Sequence, residues 1–176
     1  LFTASGTTDS GVPFLRMYEY ERIREAEYQM DFWLEEKSRS LNCRMRIVNH
    51  TDQVIPMYWW SNMAVPEYPS GQIIVPAATA YTCKNWEVYK VNVPEVDGNN
   101  IFHYESIPDQ IDYFFDIPYE CPKYIANVNK DGYGLLQTST RRLRARKLFS
   151  WGHNEGSDRW QHFLTEDAGP YIEIQA

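Results

Sequence analysis

The sequence predicts an all-β sandwich, and three observations lead there. Apolar and polar side chains alternate with period 2 through the early part of the chain. From residue 66 onward, prolines at 66, 69, 76, 94, 108, 118 and 122 separate short β-branched or aromatic runs. No segment carries a strong 3.6-residue apolar stripe, so short strands joined by turns every 8 to 12 positions are the expected architecture.

Residues 1–13 are small, polar and glycine-containing, and read as a leader or loop ahead of a single β-sandwich domain over 14–176. The segment YEYERIREAEYQMDFWLEE at 18–36 has Glu and Arg spacings that suit an exposed helix. Within it, however, Ala26, Tyr28, Met30, Phe32 and Leu34 alternate strictly with Glu27, Gln29, Asp31 and Trp33, which predicts a strand. Leu41, Cys43, Met45 and Ile47 repeat the pattern against Asn42, Arg44 and Arg46. NHTD at 49–52 reads as a turn, and 54–62 as the strand that returns from it. Further strands are expected over 72–75, 79–91, 101–104, 111–117, 123–128, 133–140, 143–151, 159–164 and 171–176, with NKDG as a hairpin turn.

Composition bounds the function. A formal charge of -7 argues against a partner held through phosphate contacts, so no nucleic acid is expected. No apolar run reaches membrane-spanning length, so no membrane is expected either. Cys43, Cys83 and Cys121 lack CxxC spacing and read as free thiols of a cytoplasmic protein. Four scattered histidines offer no metal spacing, and neither a metal nor another cofactor is implied. RRLRARK at 141–147 resembles a nucleic-acid patch. On a strand it would put Arg142, Arg144 and Arg146 on one face, where they could pair the surplus acids.

Two stretches concentrate side chains suited to a sugar. MYWWSNMAVPE at 57–67 offers Trp59 and Trp60 for stacking, Asn62 for hydroxyl contacts and Glu67 as a carboxylate. WGHNEGSDRWQHF at 151–163 offers Trp151, His153, Asn154, Arg159, Trp160 and Gln161. Pyranose C–H faces stack on indoles, while the hydroxyls need amides and charged groups at fixed positions. The plainer reading makes these tryptophans core plugs and the polar residues loop. In YIEIQA, alternation puts Tyr171, Glu173 and Gln175 on one face, where burial would raise the glutamate toward a pKa useful for proton transfer. An exposed face of an edge strand accounts for the same spacing.

IVNHTDQVIPMYWWSNMAVPE, RKLFSWG, RWQHFL and YIEIQA together resemble a bacterial domain-of-unknown-function family found ahead of tetratricopeptide repeats and related to the galactose mutarotase-like superfamily. The resemblance runs from about residue 13 to 176. It implies an antiparallel β-supersandwich that holds a sugar on its concave face, here a partial domain truncated at both ends. It makes Glu173, in the Glu-x-Gln pattern with Gln175, the counterpart of a catalytic base, and His153 the nearest counterpart of an acid. Tyr58 stands where that superfamily has a sugar-contacting histidine, which leaves epimerase chemistry open and sugar binding standing.

The expected function is recognition of a saccharide, with glycoside hydrolysis or epimerisation as its catalytic form. There Glu173 acts as base or nucleophile, Glu67 or His153 supplies the proton, Asn62, Arg159 and Gln161 orient hydroxyls, and Trp60 and Trp151 stack. The alternative is a non-catalytic structural domain that docks on the repeat array of its own longer chain. That alternative requires the tryptophans at 59, 60, 151 and 160 to be buried.

Overall fold

A computed structural model describes residues 1–165 and 168–176. The chain divides into two compact units, Leu1–Tyr58 and Trp59–Ala176.

The first unit is an antiparallel meander of four strands in sequence order: β1 (Phe2–Thr7), β2 (Pro13–Glu21), β3 (Ala26–Leu34) and β4 (Leu41–Asn49). The alternation read at 26–34 and 41–47 therefore marks real strands. The opening segment differs from expectation, because Phe2–Thr7 pairs along β2 from Phe2↔Tyr18 to Thr7↔Pro13. Its Ser, Thr and Gly content hid a strand whose stability comes from its neighbour rather than from its own propensity. Across the middle of the sheet, Arg16, Asp31 and Arg44 stand in one cross-strand row. The Asp31 carboxylate is buried and receives Arg16 Nε at 2.6 Å and Arg44 Nη2 at 2.8 Å. The two arginines, Arg16 first, hold the Asp31 carboxyl at about 2, below its ordinary range.

The second unit is a sandwich. Its larger sheet has six strands in the order β5-β15-β14-β11-β7-β8. These are β5 (Asn62–Pro66), β7 (Thr79–Lys84), β8 (Glu87–Asn92), β11 (Ile111–Phe115), β14 (Arg146–Ser150) and β15 (Tyr171–Gln175). The smaller sheet orders β13-β12-β6, from β6 (Gln72–Ile74), β12 (Lys123–Val128) and β13 (Gly134–Ser139). A short ladder, β9 (Glu95–Val96) with β10 (Asn99–Asn100), precedes a 3-10 turn at Tyr104–Ser106. Ile73 and Ile125 from the smaller sheet share one core with Leu148, Ile172 and Ile174 from the larger. Each of these side chains, withdrawn from water, contributes roughly 2 kcal/mol.

Several expected strands take other forms. The run 79–91 folds back at Asn85 and Trp86, both at positive φ, in the two-residue turn that matches strand twist. Residues 54–61 are irregular, and the strand starts only at Asn62. Residues 101–104 form a turn rather than a strand. The segment expected as a strand over 159–164 lies inside helix α1 (Glu155–Thr165). Asn154 caps that helix, its Oδ1 accepting the Ser157 N–H at 3.0 Å, and Glu155 pairs with Arg159 one turn on. Those local signals outweighed the apparent alternation. Finally, β15 is not an edge strand; it lies between β5 and β14.

Candidate functional site

Because side chains alternate along a strand, the register of the six-stranded sheet sorts its residues onto two faces. Ile172, Ile174 and Leu148 point into the core. Tyr171, Glu173 and Gln175 share the opposite face, on one side of the strand as the spacing predicted. Directly opposite Gln175 stand Asn62 on β5 and Lys147 on β14, and Lys147 in turn faces Phe114 on β11. One step along, Glu173 lies between Ala64 and Phe149, and Phe149 faces Asp112. The outer face is thus a grid of aromatic rings, amides and charges.

Three of its polar groups are joined in a line. The Trp60 indole N–H donates to Gln175 Oε1, and Gln175 Nε2 donates to Glu173 Oε2 at 2.6 Å. An amide has one acceptor and one donor end, so these two bonds fix which way Gln175 points. Gln175 itself is buried, whereas Trp60 remains 50% exposed. The Lys147 ammonium sits 4.4 Å from the Trp60 ring and 4.9 Å from Phe114, and pairs with Asp112 Oδ1 at 2.7 Å. Burial in an aromatic slot strengthens such cation–ring attraction.

Farther along the same face, Trp151 meets Phe149 and Tyr171 edge-on, at centroid separations of 5.0 and 6.0 Å. Its indole N–H is buried and has no acceptor among the described residues. Gly152 follows at φ +73, where a Cβ would lie 2.5 Å from the Asp109 carbonyl carbon. Only glycine fits there, and this lets the chain turn so that the His153 N–H reaches the Pro108 carbonyl at 3.0 Å.

His153 arrives beside Glu67. Its Nε2 lies 3.0 Å from Glu67 Oε1, with the imidazole 39% exposed and the carboxylate 8% exposed. The backbone around Glu67 is pinned on three sides. Asn127 Nδ2 donates to the Pro66 carbonyl at 2.8 Å, the Glu67 N–H to Pro170 O at 3.0 Å, and the Tyr68 N–H to the Tyr104 hydroxyl at 2.9 Å. Burial pushes the Glu67 carboxyl above its ordinary range; attraction to His153 opposes the rise, and Glu105 and Asp158 add to it. The same burial pushes the Tyr104 phenol up to about 12. A half-exposed imidazole backed by a fixed, buried carboxylate is a geometry that can move a proton.

The remaining predicted residues have other places. Trp59 is half-buried, and Asn62 is exposed beside Gln175. Gln161 is buried on α1, where its Oε1 accepts the Tyr171 N–H at 3.2 Å; it ties the helix to β15. Arg159 is exposed and bound to Glu155. Trp160, 56% exposed, touches Phe163 edge-on at 6.1 Å. A helix turns 100° per residue, so Arg159 lies opposite the buried Ser157 and Gln161, and Trp160 lies on the flank. The structure therefore joins Trp60, Trp151, Glu173, Glu67 and His153 to the sheet and its end, but not Arg159 or Trp160.

Sequence reasoning missed Lys147 and Asp112. The signal was present: Lys147 and Phe149 alternate along β14, in step with Glu173 across the ladder, and Trp151 follows just past its end. The strand begins only at Arg146, and Arg146 points into the core.

Fold and site together define an antiparallel β-sandwich domain with one face of ordered aromatic, amide and carboxylate groups. Residues 6–176 match the family described as Domain of unknown function (DUF5107), and the chain belongs to it. No solved structure matches the chain. Among the described residues, no helix is long and apolar enough to cross a membrane. All three cysteines are free.

Proposed function

We propose that this domain recognises a carbohydrate on the Glu173 face of its six-stranded sheet. The observation that carries the reading is the line from the Trp60 indole through Gln175 to Glu173, set among Phe149, Trp151 and Tyr171. Oriented polar groups beside half-buried aromatic rings suit a ligand with an apolar ring face and hydroxyls around its edge. Asn62, opposite Gln175, adds a further amide.

In its catalytic form Glu173 is the base or nucleophile, and the Glu67–His153 pair supplies the proton. For hydrolysis, the separation of the two carboxyl groups would decide between retention and inversion. The competing structural reading, in which the domain docks on a repeat array farther along a longer chain, needs its tryptophans covered. Trp60, on the Glu173 face, is 50% exposed, which favours the saccharide. Free thiols fit a cytoplasmic setting.

Tryptophan fluorescence titrated with a panel of neutral and acidic mono- and oligosaccharides tests the proposal. A saturable response that Trp60→Phe weakens supports it. A folded protein giving no response to any saccharide overturns it. For each binder, proton NMR of anomer exchange, with Glu173→Gln alongside, separates a binding module from an enzyme.

A further inference from the structure

Among the described residues, the arginines of segment 141–146 form no ion pair with the surplus acids, in contrast to what the sequence suggested. The segment forms a turn leading into β14, closed by the Leu143 N–H to Thr140 O at 3.3 Å. Arg146 locks this turn from beneath. It is 0% exposed and donates to the carbonyls of Leu143, Ala145 and Lys123 and to Ser139 Oγ, at 3.3, 2.7, 2.9 and 2.6 Å. Burial without a carboxylate lowers its pKa to about 10.

On top of this rigid base, three cations converge on one phenol ring. Arg141 Cζ, Arg144 Cζ and Lys123 Nζ lie 5.9, 5.7 and 6.0 Å from the Tyr119 centroid. Lys123 is occupied by the carbonyls of Ile117, Pro118 and Tyr119. Arg141 and Arg144 make no ion pair among the described residues. Asp116, whose carboxyl feels Arg144, is already bridged to Lys90 at 2.8 Å, and Glu120 is exposed beside Tyr119. In a chain of net charge -7, two guanidinium groups set against one ring with no ion pair among the described residues mark a place where positive charge is left uncompensated.

We infer that the Tyr119–Arg141–Arg144 corner binds a small oxyanion: sulfate, phosphate or carboxylate, either free or borne on a saccharide. Planar guanidinium forks match two oxygens of such a group, and Tyr119 holds both forks in place. Two free arginines are too few for a nucleic-acid surface, whose affinity grows with the number of phosphates neutralised. The inference does not depend on the Glu173 face.

The test uses the intact chain at fixed ionic strength, with sodium chloride exchanged for sodium sulfate while the arginine Nε–Hε resonances are followed by NMR. Arg141 and Arg144 should shift saturably. Arg141→Ala with Arg144→Ala should weaken sulfate binding by tenfold or more, while Arg142→Ala, an exposed neighbour off the ring, leaves it unchanged. A sulfated disaccharide binding well above inorganic sulfate identifies a saccharide-borne anion, and equal affinity identifies a free ion; both support the site. Shifts no larger than chloride produces would overturn it. So would equal sulfate affinity in the folded double variant, or tighter, length-dependent binding of an oligonucleotide.

Discussion

His153 Nε2 lies 3.0 Å from Glu67 Oε1, although one comes from the loop after β14 and the other from the end of β5. Burial favours the protonated carboxyl, while the imidazole favours the charged one. Such opposed influences on one short contact are typical of groups that exchange protons. On any saccharide that is turned over, Glu67→Gln should lower the rate about 100-fold or more, the usual scale for losing an acid–base group. Binding read by fluorescence should change far less. An undiminished rate would remove the pair from the chemistry.

Trp60 and Trp160, both exposed, should behave differently. Trp60→Phe keeps an aromatic ring but loses the N–H that orients Gln175, so saccharide affinity should fall about tenfold, or roughly 1.4 kcal/mol. Trp160→Phe, on the helix flank, should leave affinity unchanged. Fluorescence or calorimetric titration of the two variants decides the matter; a loss confined to Trp160→Phe would move the site to the helix.

Gly152→Ala should destabilise the second unit by roughly 2 kcal/mol or more, because the residue would have to keep a left-handed φ and also press on the Asp109 backbone. Urea denaturation measures the loss. The strain falls between Trp151 and His153, so saccharide affinity should drop as well.

Asp31 predicts an acid-sensitive first unit. Its folded carboxyl is held at about 2 against an ordinary 3.8, so the stabilisation is present above the unfolded value and disappears as pH falls from about 4 to 2. That shift corresponds to about 2 kcal/mol at neutral pH. Asp31→Asn should cost at least this much at pH 7, because it leaves Arg16 and Arg44 without their acid. Denaturant titrations of the two proteins should draw closer as pH is lowered toward 2.

Much of this molecule was legible in its sequence. Period-2 alternation located Ala26–Leu34 and Tyr171–Gln175, and it put Glu173 and Gln175 on one face. Alternation is reliable at Tyr171–Gln175 because Ile172 and Ile174 have one core face in which to be buried. It misled at 159–164, where an Asn154 cap and a Glu155–Arg159 pair made a helix of the same residues and turned Arg159 and Trp160 toward solvent.

The pairing of distant strands lay beyond any local pattern. Gln175 stands between Asn62 and Lys147 only because β15 inserts between β5 and β14, and Glu67 meets His153 only because Gly152 turns the chain against Asp109. The sequence by itself determined the all-β class, the family and which faces of the strands are polar, since these follow from side-chain period and composition. Tertiary structure alone decided that Trp60, Gln175, Glu173 and Lys147 share one surface and that Arg146 is buried. Ladder order and register depend on the packing of the whole core, which no short window of residues contains.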